Sequence, residues 1–320
     1  MTQVVGDYSI NIMLSRRNFI YFSIGNVISM FSRAESYNSF LDGRYLYNLV
    51  RIGDYSGNVV QSFAVDYRNN AIFSQHRGGE PEKCYICHYK IHEKGILIAD
   101  SNMQLDGFGG HQGITIQYFD KNPMLWVSAG ININDRGLKA IRFNYHQSKF
   151  EVFQFFDCTN FRRSGSTNPC VSLDQKYIIV RGFNKGSKKN IIRVLELSKL
   201  KGEGDYSDKY LYQWDIDSIS INKKYPLQGI ASDGKIVIIQ LGFNDNYINK
   251  ALLIYTISGN LIFKTKNYSI GKWDAIFTGD GKHWEPEGIC FSFDKNNNKR
   301  LYHCITSGNK GNRLARIYIS

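Results

Sequence analysis

The chain is short of prolines, of long apolar runs and of acidic residues, and each shortage excludes something. Only 5 of its 320 residues are proline. No Pro/Ser-rich stretch divides it, so one continuous domain is expected instead of two joined by a linker. No segment reaches the ~18 uninterrupted apolar residues that a membrane-crossing helix needs. Six cysteines are too few for a disulfide-dense scaffold of this length. Cys84 and Cys87 have CxxC spacing beside His88 and His92, but no second pair stands at zinc-binding distance. The stretch Cys84 to Ile91 also reads as a strand, where residues three apart point to opposite faces and serve neither a chelate nor a redox turn. Walker, dinucleotide and Gly-x-Ser-x-Gly patterns are missing. No cofactor and no metal are expected.

What is present points elsewhere. The chain holds 20 Phe and 21 Tyr, and 42% of its residues are hydrophobic, enough to bury a large core. No Ala/Leu/Glu/Lys-rich helical stretch competes with them, so an all-β fold is expected. Lys and Arg number 40 against 28 Asp and Glu, a formal charge of +12. That excess favours an anionic partner. No DNA- or RNA-binding motif occurs, so nucleic acid is set aside in favour of an anionic glycan or phospho-polymer.

The N-terminus carries its own signal. Ser15-Arg16-Arg17-Asn18-Phe19 has twin-arginine spacing, and a mildly apolar stretch runs from Phe19 to Phe31. Ser32-Arg33-Ala34 then places small residues at −3 and −1 of a cleavage after Ala34. Residues 1–34 are therefore expected to direct twin-arginine export, leaving a periplasmic or secreted protein. The alternative is an amphipathic segment packed on the domain.

One pattern recurs five times: a polar residue, a small residue and a short apolar strand. The copies begin at Gln61-Ser62-Phe63, Gln112-Gly113-Ile114, Pro169-Cys170-Val171, Gln228-Gly229-Ile230 and Glu287-Gly288-Ile289. The apolar positions Phe63, Ile114, Val171, Ile230 and Ile289 are 51, 57, 59 and 59 residues apart. That spacing fits one propeller blade per repeat. The second and fourth repeats each parse into four strands, with Asp233-Gly234 and Ser258-Gly259-Asn260 as hairpin punctuation. The fifth parses into only three, Ile289 to Phe293, Leu301 to Thr306 and Leu314 to Ser320. The missing strand is available at Tyr45 to Ile52. The expectation is a five-bladed β-propeller over 39–320, closed 3+1 by its N-terminal strand so that no edge stays open.

Propeller geometry puts the loops entering each inner strand, and the hairpins between strands two and three, on one face. These are the long loops, where binding is expected. Gln61, Gln112, Asn168, Gln228 and Glu287 converge there on the axis. Around them come His76, Arg77, His111, Arg136, Arg162, Arg163, Lys185, Lys188 and Lys189. Arginine's planar fork suits phosphate and carboxylate, and Trp284, Tyr247 and Phe161 are expected to stack on sugar faces. The expected ligand-binding set is Gln61, Arg77, His111, Gln112, Arg136, Gln228, Trp284 and Glu287. The alternative is a channel mouth that is merely wet, ringed by a solvated basic surface. His111 and Glu287, with Asp106 and Glu285, are the candidate acid–base groups. Hydrolysis by paired carboxylates is disfavoured because three of the five axial positions are Gln.

Asp294 to Arg300 reads as a hairpin centred near Asn297, which sets Cys290 opposite Cys304. Cys158 and Cys170 flank the loop entering the third repeat. Either pair is open to bridging after export; the alternative is packed thiols.

Three stretches resemble a known family: Gln61-Ser62-Phe63-Ala64-Val65-Asp66, Gly109-Gly110-His111-Gln112-Gly113-Ile114 and Glu285-Pro286-Glu287-Gly288-Ile289. Leu125-Trp126-Val127 sits where that family has a Trp-containing strand. The family groups teichoic-acid biosynthesis protein C, receptor-binding proteins of some staphylococcal phages and helveticin J-type bacteriocins. The resemblance implies a five-bladed propeller that engages cell-surface glycopolymers or acts as a secreted antibacterial protein. Binding of an anionic surface polymer is the leading expectation. A bacteriocin-like role, or lyase or hydrolase action on such a polymer, is the alternative.

Overall fold

The middle strands read as continuous apolar runs because both of their faces are covered by neighbouring blades. Ile236-Val237-Ile238-Ile239 is one such run and is almost entirely buried. Outer strands are covered on fewer sides, and Leu261–Tyr268 is exposed along most of its length. The computed structural model describes residues 37–50, 59–77, 83–92, 95–106, 108, 111–119, 122–130, 136–147, 149–163, 165–278, 283–309 and 313–320. The twin-arginine stretch and its cleavage site lie outside the described residues.

Residues Gly43–Ser320 form one compact unit. Strand β1 (Arg44–Val50) comes first in the chain but joins the last blade. Blade I holds β2 (Val60–Asp66), β3 (Ala71–Arg77), β4 (Lys83–Lys90) and, after the excursion β5 (Gly95–Ile98), β6 (Ser101–Asp106). Blade II holds β7 (Ile114–Phe119), β8 (Asn122–Ser128), β9 (Lys139–Phe143) and β10 (Phe150–Gln154). Blade III holds β11 (Cys170–Val171), β12 (Tyr177–Asn184) and β13 (Lys189–Glu196); after β14 (Gly204–Asp205) it is completed by β15 (Tyr212–Asp215). Blade IV is β16 (Leu227–Ser232), β17 (Ile236–Leu241), β18 (Lys250–Thr256) and β19 (Leu261–Tyr268). Helix α1 (Lys272–Thr278) leads into blade V, which is β20 (Trp284–Phe293), β21 (Lys299–Ser307) and β22 (Leu314–Ile319), closed by β1.

The five-bladed ring and its 3+1 closure are therefore as the repeat count implies. Strand β1 pairs antiparallel with β22, from Arg44 opposite Ile319 to Leu49 opposite Ala315. Apolar clusters fill the junctions between blades. Phe63, Ile72, Cys87 and Tyr89 of blade I meet Leu46, Leu49, Cys304 and Ile317 of blade V. Similar clusters join blades I and II, II and III, and III and IV. The junction of IV and V carries a buried polar chain, with Gln240 Nε2 donating to Tyr268 Oη at 2.8 Å and Tyr268 Oη lying 3.1 Å from His303 Nδ1. Complete burial pushes the His303 imidazole down to about 3, so it is neutral.

Several expectations need correction. The fifth inner strand starts at Trp284, five residues before Ile289, and a bulge between Pro286 and Ile289 absorbs the extra length. The loop before it contains α1, which the sequence reading did not anticipate. Cys290 faces Tyr302 and not Cys304, because the hairpin pairs Phe293 with Lys299 and so turns one residue earlier than a centre at Asn297 requires. None of the six cysteines forms a disulfide. Cys84 and Cys87 are buried on opposite sides of β4, in two different interblade clusters.

Candidate functional site

The repeat brings polar side chains from different blades to the axis. Gln112, just ahead of β7, donates from Nε2 to Gln228 Oε1 of β16, a partner 116 residues away. Gln228 Nε2 donates in turn to the Gly242 carbonyl at 2.9 Å and to Glu285 Oε1 at 3.2 Å. His283 Nε2 lies 3.7 Å from Glu285 Oε2. Gln112, Gln228 and Glu287 are buried. Burial raises the Glu285 carboxyl, and burial together with the Glu285 charge raises Glu287 well above the usual range, against the pull of Arg313. The axis is thus plugged by a hydrogen-bonded chain from Gln112 through Gln228 to Glu285, with Glu287 buried close to Glu285. Close approach of the blades there is steric as well: Gly113 has φ +83°, and a Cβ on it would sit 2.6 Å from the Asn168 Cα.

Gln61 stays at the blade I corner, half-buried, with its amide on the neighbouring Val60 carbonyl at 3.3 Å. Asn168 is buried, and its Nδ2 has no hydrogen-bond partner among the described residues.

Beside this plug, on the long-loop face, a cavity of about 530 Å³ opens between blades II, III and IV. His111 and Gln112 form one wall. Arg162, Ser166, Arg181 and Asn190 come from blade III and the loop entering it. Ser220, Asn222, Lys223 and Pro226 come from the loop entering blade IV. No aspartate or glutamate lines it among the described residues. Arg181 is held in place by Asn190, whose Oδ1 accepts from Nη2 at 2.7 Å and from Nε at 3.0 Å. Asn190 Nδ2 then donates to the Ser220 carbonyl at 3.0 Å, tying blade III to the blade IV loop. Burial, with the nearby Arg162 charge, lowers Arg181 to about 10, which leaves it cationic at neutral pH. Burial, and the charges of Arg77 and Arg181, push His111 down to about 4. The cavity is therefore a fixed cationic pocket with a neutral imidazole on its rim, and an anion entering it meets no opposing carboxylate.

The model of the phage 5-bladed beta propeller receptor binding platform domain matches residues 59–319. The chain belongs to that family. A protein of Bacillus subtilis (strain 168) named for teichoic acid biosynthesis, major protein C, is 23% identical over 295 residues. That alignment covers 85% of this chain and 61% of the relative, so the chain spans about three fifths of the protein it matches. Among solved structures, the tail fiber of Staphylococcus aureus phage P68 superposes with a TM-score of 0.61 at 19% identity. The superposition covers 89% of this chain and 55% of the tail fiber chain, and it shows a shared fold.

The residues expected at the site do not all come together. Gln112 and Gln228 meet near the axis and reach Glu287 through Glu285, and His111 and Gln112 face the cavity. Arg77 ends β3, is exposed, and acts electrostatically on His111. The side chain of Arg136 lies outside the described residues. Trp284 is a correction: it is fully buried, donates from Nε1 to the Ile270 carbonyl at 3.0 Å and lies under the Lys250 ammonium at 4.2 Å. It cannot stack on a ligand, because its ring already fills the base of the blade V entrance. Phe161 is likewise buried, against Phe156 and Arg193. Lys189 is paired with Asp215 at 2.6 Å, and Lys185 donates to the Cys158 carbonyl at 2.9 Å. The sequence reading missed Arg181, Asn190 and Lys223.

Among the described residues, no group of three or more His, Cys, Asp or Glu is placed to hold a metal ion, and no helix is long and apolar enough to cross a membrane.

Proposed function

We propose that this propeller binds an anionic cell-surface polysaccharide or phospho-polymer through the cavity between blades II, III and IV. The observation that carries the reading is a roomy pocket lined by Arg162, Arg181 and Lys223 without a single carboxylate among the described lining residues. Family membership in a receptor-binding platform and the relative named for teichoic acid biosynthesis support the same reading. Arg181 is preorganised by Asn190, so little side-chain entropy is lost when an anion docks on it. Binding without breakdown is the reading the geometry favours, since Glu287 is buried and Glu285 already accepts from Gln228.

Retention of the purified protein on isolated bacterial envelopes tests this. Arg162→Ala with Lys223→Ala should cut retention at least tenfold, because two charge-assisted contacts of about 1.5–3 kcal/mol each are lost. Lys188→Ala with Lys189→Ala should have little effect. The opposite ranking would place the ligand on the blade III rim and end the cavity reading. Release of soluble polymer fragments by the wild-type protein would replace binding with catalysis.

Residues 1–34 carry the export part of the proposal, with Arg16-Arg17 addressing the protein to the twin-arginine route. Lysine at both positions should hold the precursor in the cytoplasm, and unimpaired export of that variant would remove this part alone.

A further inference from the structure

The helix between blades IV and V presents a surface that the basic cavity does not use. Helix α1 places Trp273 and Phe277 one turn apart, and they are 67% and 79% exposed. Their rings stack, with centroids 6.1 Å apart and an interplanar angle of 24°. Together they form one exposed apolar patch on the helix. The rest of the helix is anchored: Ala275 is buried, Asp274 accepts from Tyr318 Oη at 2.6 Å, and Lys272 Nζ donates to Asn249 Oδ1 at 2.9 Å. The platform is thus held rigidly while its two rings stay in water, where they gain nothing from folding.

Hydrogen bonds through one hairpin link this helix to the cavity wall. Asn249, which holds Lys272, closes the β17–β18 hairpin. That hairpin exposes Phe243 and Tyr247, at 47% and 89%. At its other end the Gly242 amide donates to the Pro226 carbonyl at 2.9 Å, and Pro226 lines the cavity. Exposed rings therefore stand on a hairpin whose two ends are bonded to the cavity wall and to α1. One occupant matches both chemistries, namely a chain in which anionic groups alternate with sugar rings. Its charges complement the carboxylate-free pocket, and the C–H faces of its sugars need a flat apolar plane. A lipid surface fits less well, because interfacial binding scales with buried apolar area and α1 offers two side chains.

We propose that Trp273 and Phe277 form a stacking subsite for a sugar ring of the anionic polymer, which makes ring-bearing polyanions the preferred ligand class. The inference rests on the cavity reading above and deepens it. Trp273 also supplies its own reporter. Trp126 and Trp284 are fully buried and Trp214 is half-buried, so acrylamide reaches Trp273 most readily.

Two probes separate ring from charge: oligogalacturonate, an anionic chain of sugar rings, and linear polyphosphate, which has none. Oligogalacturonate should shield tryptophan from acrylamide, and polyphosphate should not. Trp273→Ala and Phe277→Ala should each weaken oligogalacturonate about two- to tenfold while leaving polyphosphate unchanged, and Trp273→Phe should restore most of the loss. Equal binding of oligogalacturonate by wild type and Trp273→Ala would overturn the subsite. So would shielding by anionic phospholipid vesicles alone, or shielding that grows with protein concentration without polymer, which would indicate a lipid surface or a second copy. If Arg162→Ala with Lys223→Ala leaves oligogalacturonate affinity intact while Trp273→Ala lowers it, the platform stands and the cavity reading fails.

Discussion

Glu287 shows what the axial position asks of a single side chain. It is 3% exposed, and its pKa is raised well above the usual 4.5 by burial first and by the Glu285 charge second. The folded state therefore holds this proton more tightly than the unfolded chain. A carboxyl raised in this way contributes most below the unfolded value, and its contribution is lost as pH rises through the folded one. Glu287→Gln keeps the shape and removes the titration. Its melting temperature should exceed that of wild type at pH 7, by about 1 kcal/mol in stability, the usual scale of one stabilising exchange. The difference should shrink as pH falls toward 4.5. Melts between pH 4 and pH 8 check this, and a constant difference would show that the carboxyl is not the cause. Gln112, Gln228 and Glu287 were legible in the sequence because the repeat fixes their phase, and phase in a closed ring fixes proximity. Arg181 and Asn190 were not. They sit inside β12 and β13, where one polar residue in an apolar run looks like any outward-facing one. Only the pairing of Phe183 with Asn190, and the loops folded over that end, turn both into a pocket wall. Nearness to a channel mouth likewise does not reveal whether the ring of Trp284 faces out or in.

Among the elements, β1 carries the closure. It supplies the fourth strand of blade V and buries Leu46 and Leu49 against blade I. The span matched by the family model begins at residue 59 and so omits it. A fragment of residues 59–319 would leave β22 with an open edge and lose two core leucines, each worth about 1.5–3 kcal/mol when fully buried. That fragment should aggregate or lose its cooperative melt, whereas a chain starting at Gly43 should fold. Size-exclusion chromatography and thermal melts of the two would decide, and a monomeric 59–319 fragment with a wild-type melt would show closure to be dispensable. The role of β1 was readable because the fifth repeat is one strand short and a spare apolar strand precedes the first. The additions β5 and β14 were not readable. They pair in parallel with β1 and β10, partners outside their own hairpins, and span only four and two residues. Helix α1, at seven residues, is too short for its period to stand out from a loop.

For the molecule as a whole, the charge of +12 is not spread evenly in its effect. Lysines such as Lys189, Lys264 and Lys299 are matched by Asp215, Asp217 and Asp233. The cavity residues Arg181 and Lys223 look into a space without a counter-charge among its described lining residues. Attraction of a polyanion should therefore concentrate on the long-loop face and weaken as salt screens it, over a distance of about 8–10 Å near physiological ionic strength. A ring of five blades suits this task because each blade holds its loops on a rigid sheet, and three blades share one pocket. The most direct test is to soak crystals of the protein with short oligogalacturonate and look for ligand density. The account predicts a carboxylate seated between Arg162, Arg181 and Lys223, with the chain leaving toward Tyr247 and Trp273. Ordered density confined to the Lys185–Lys189 turn, or to the opposite face of the ring, would contradict it.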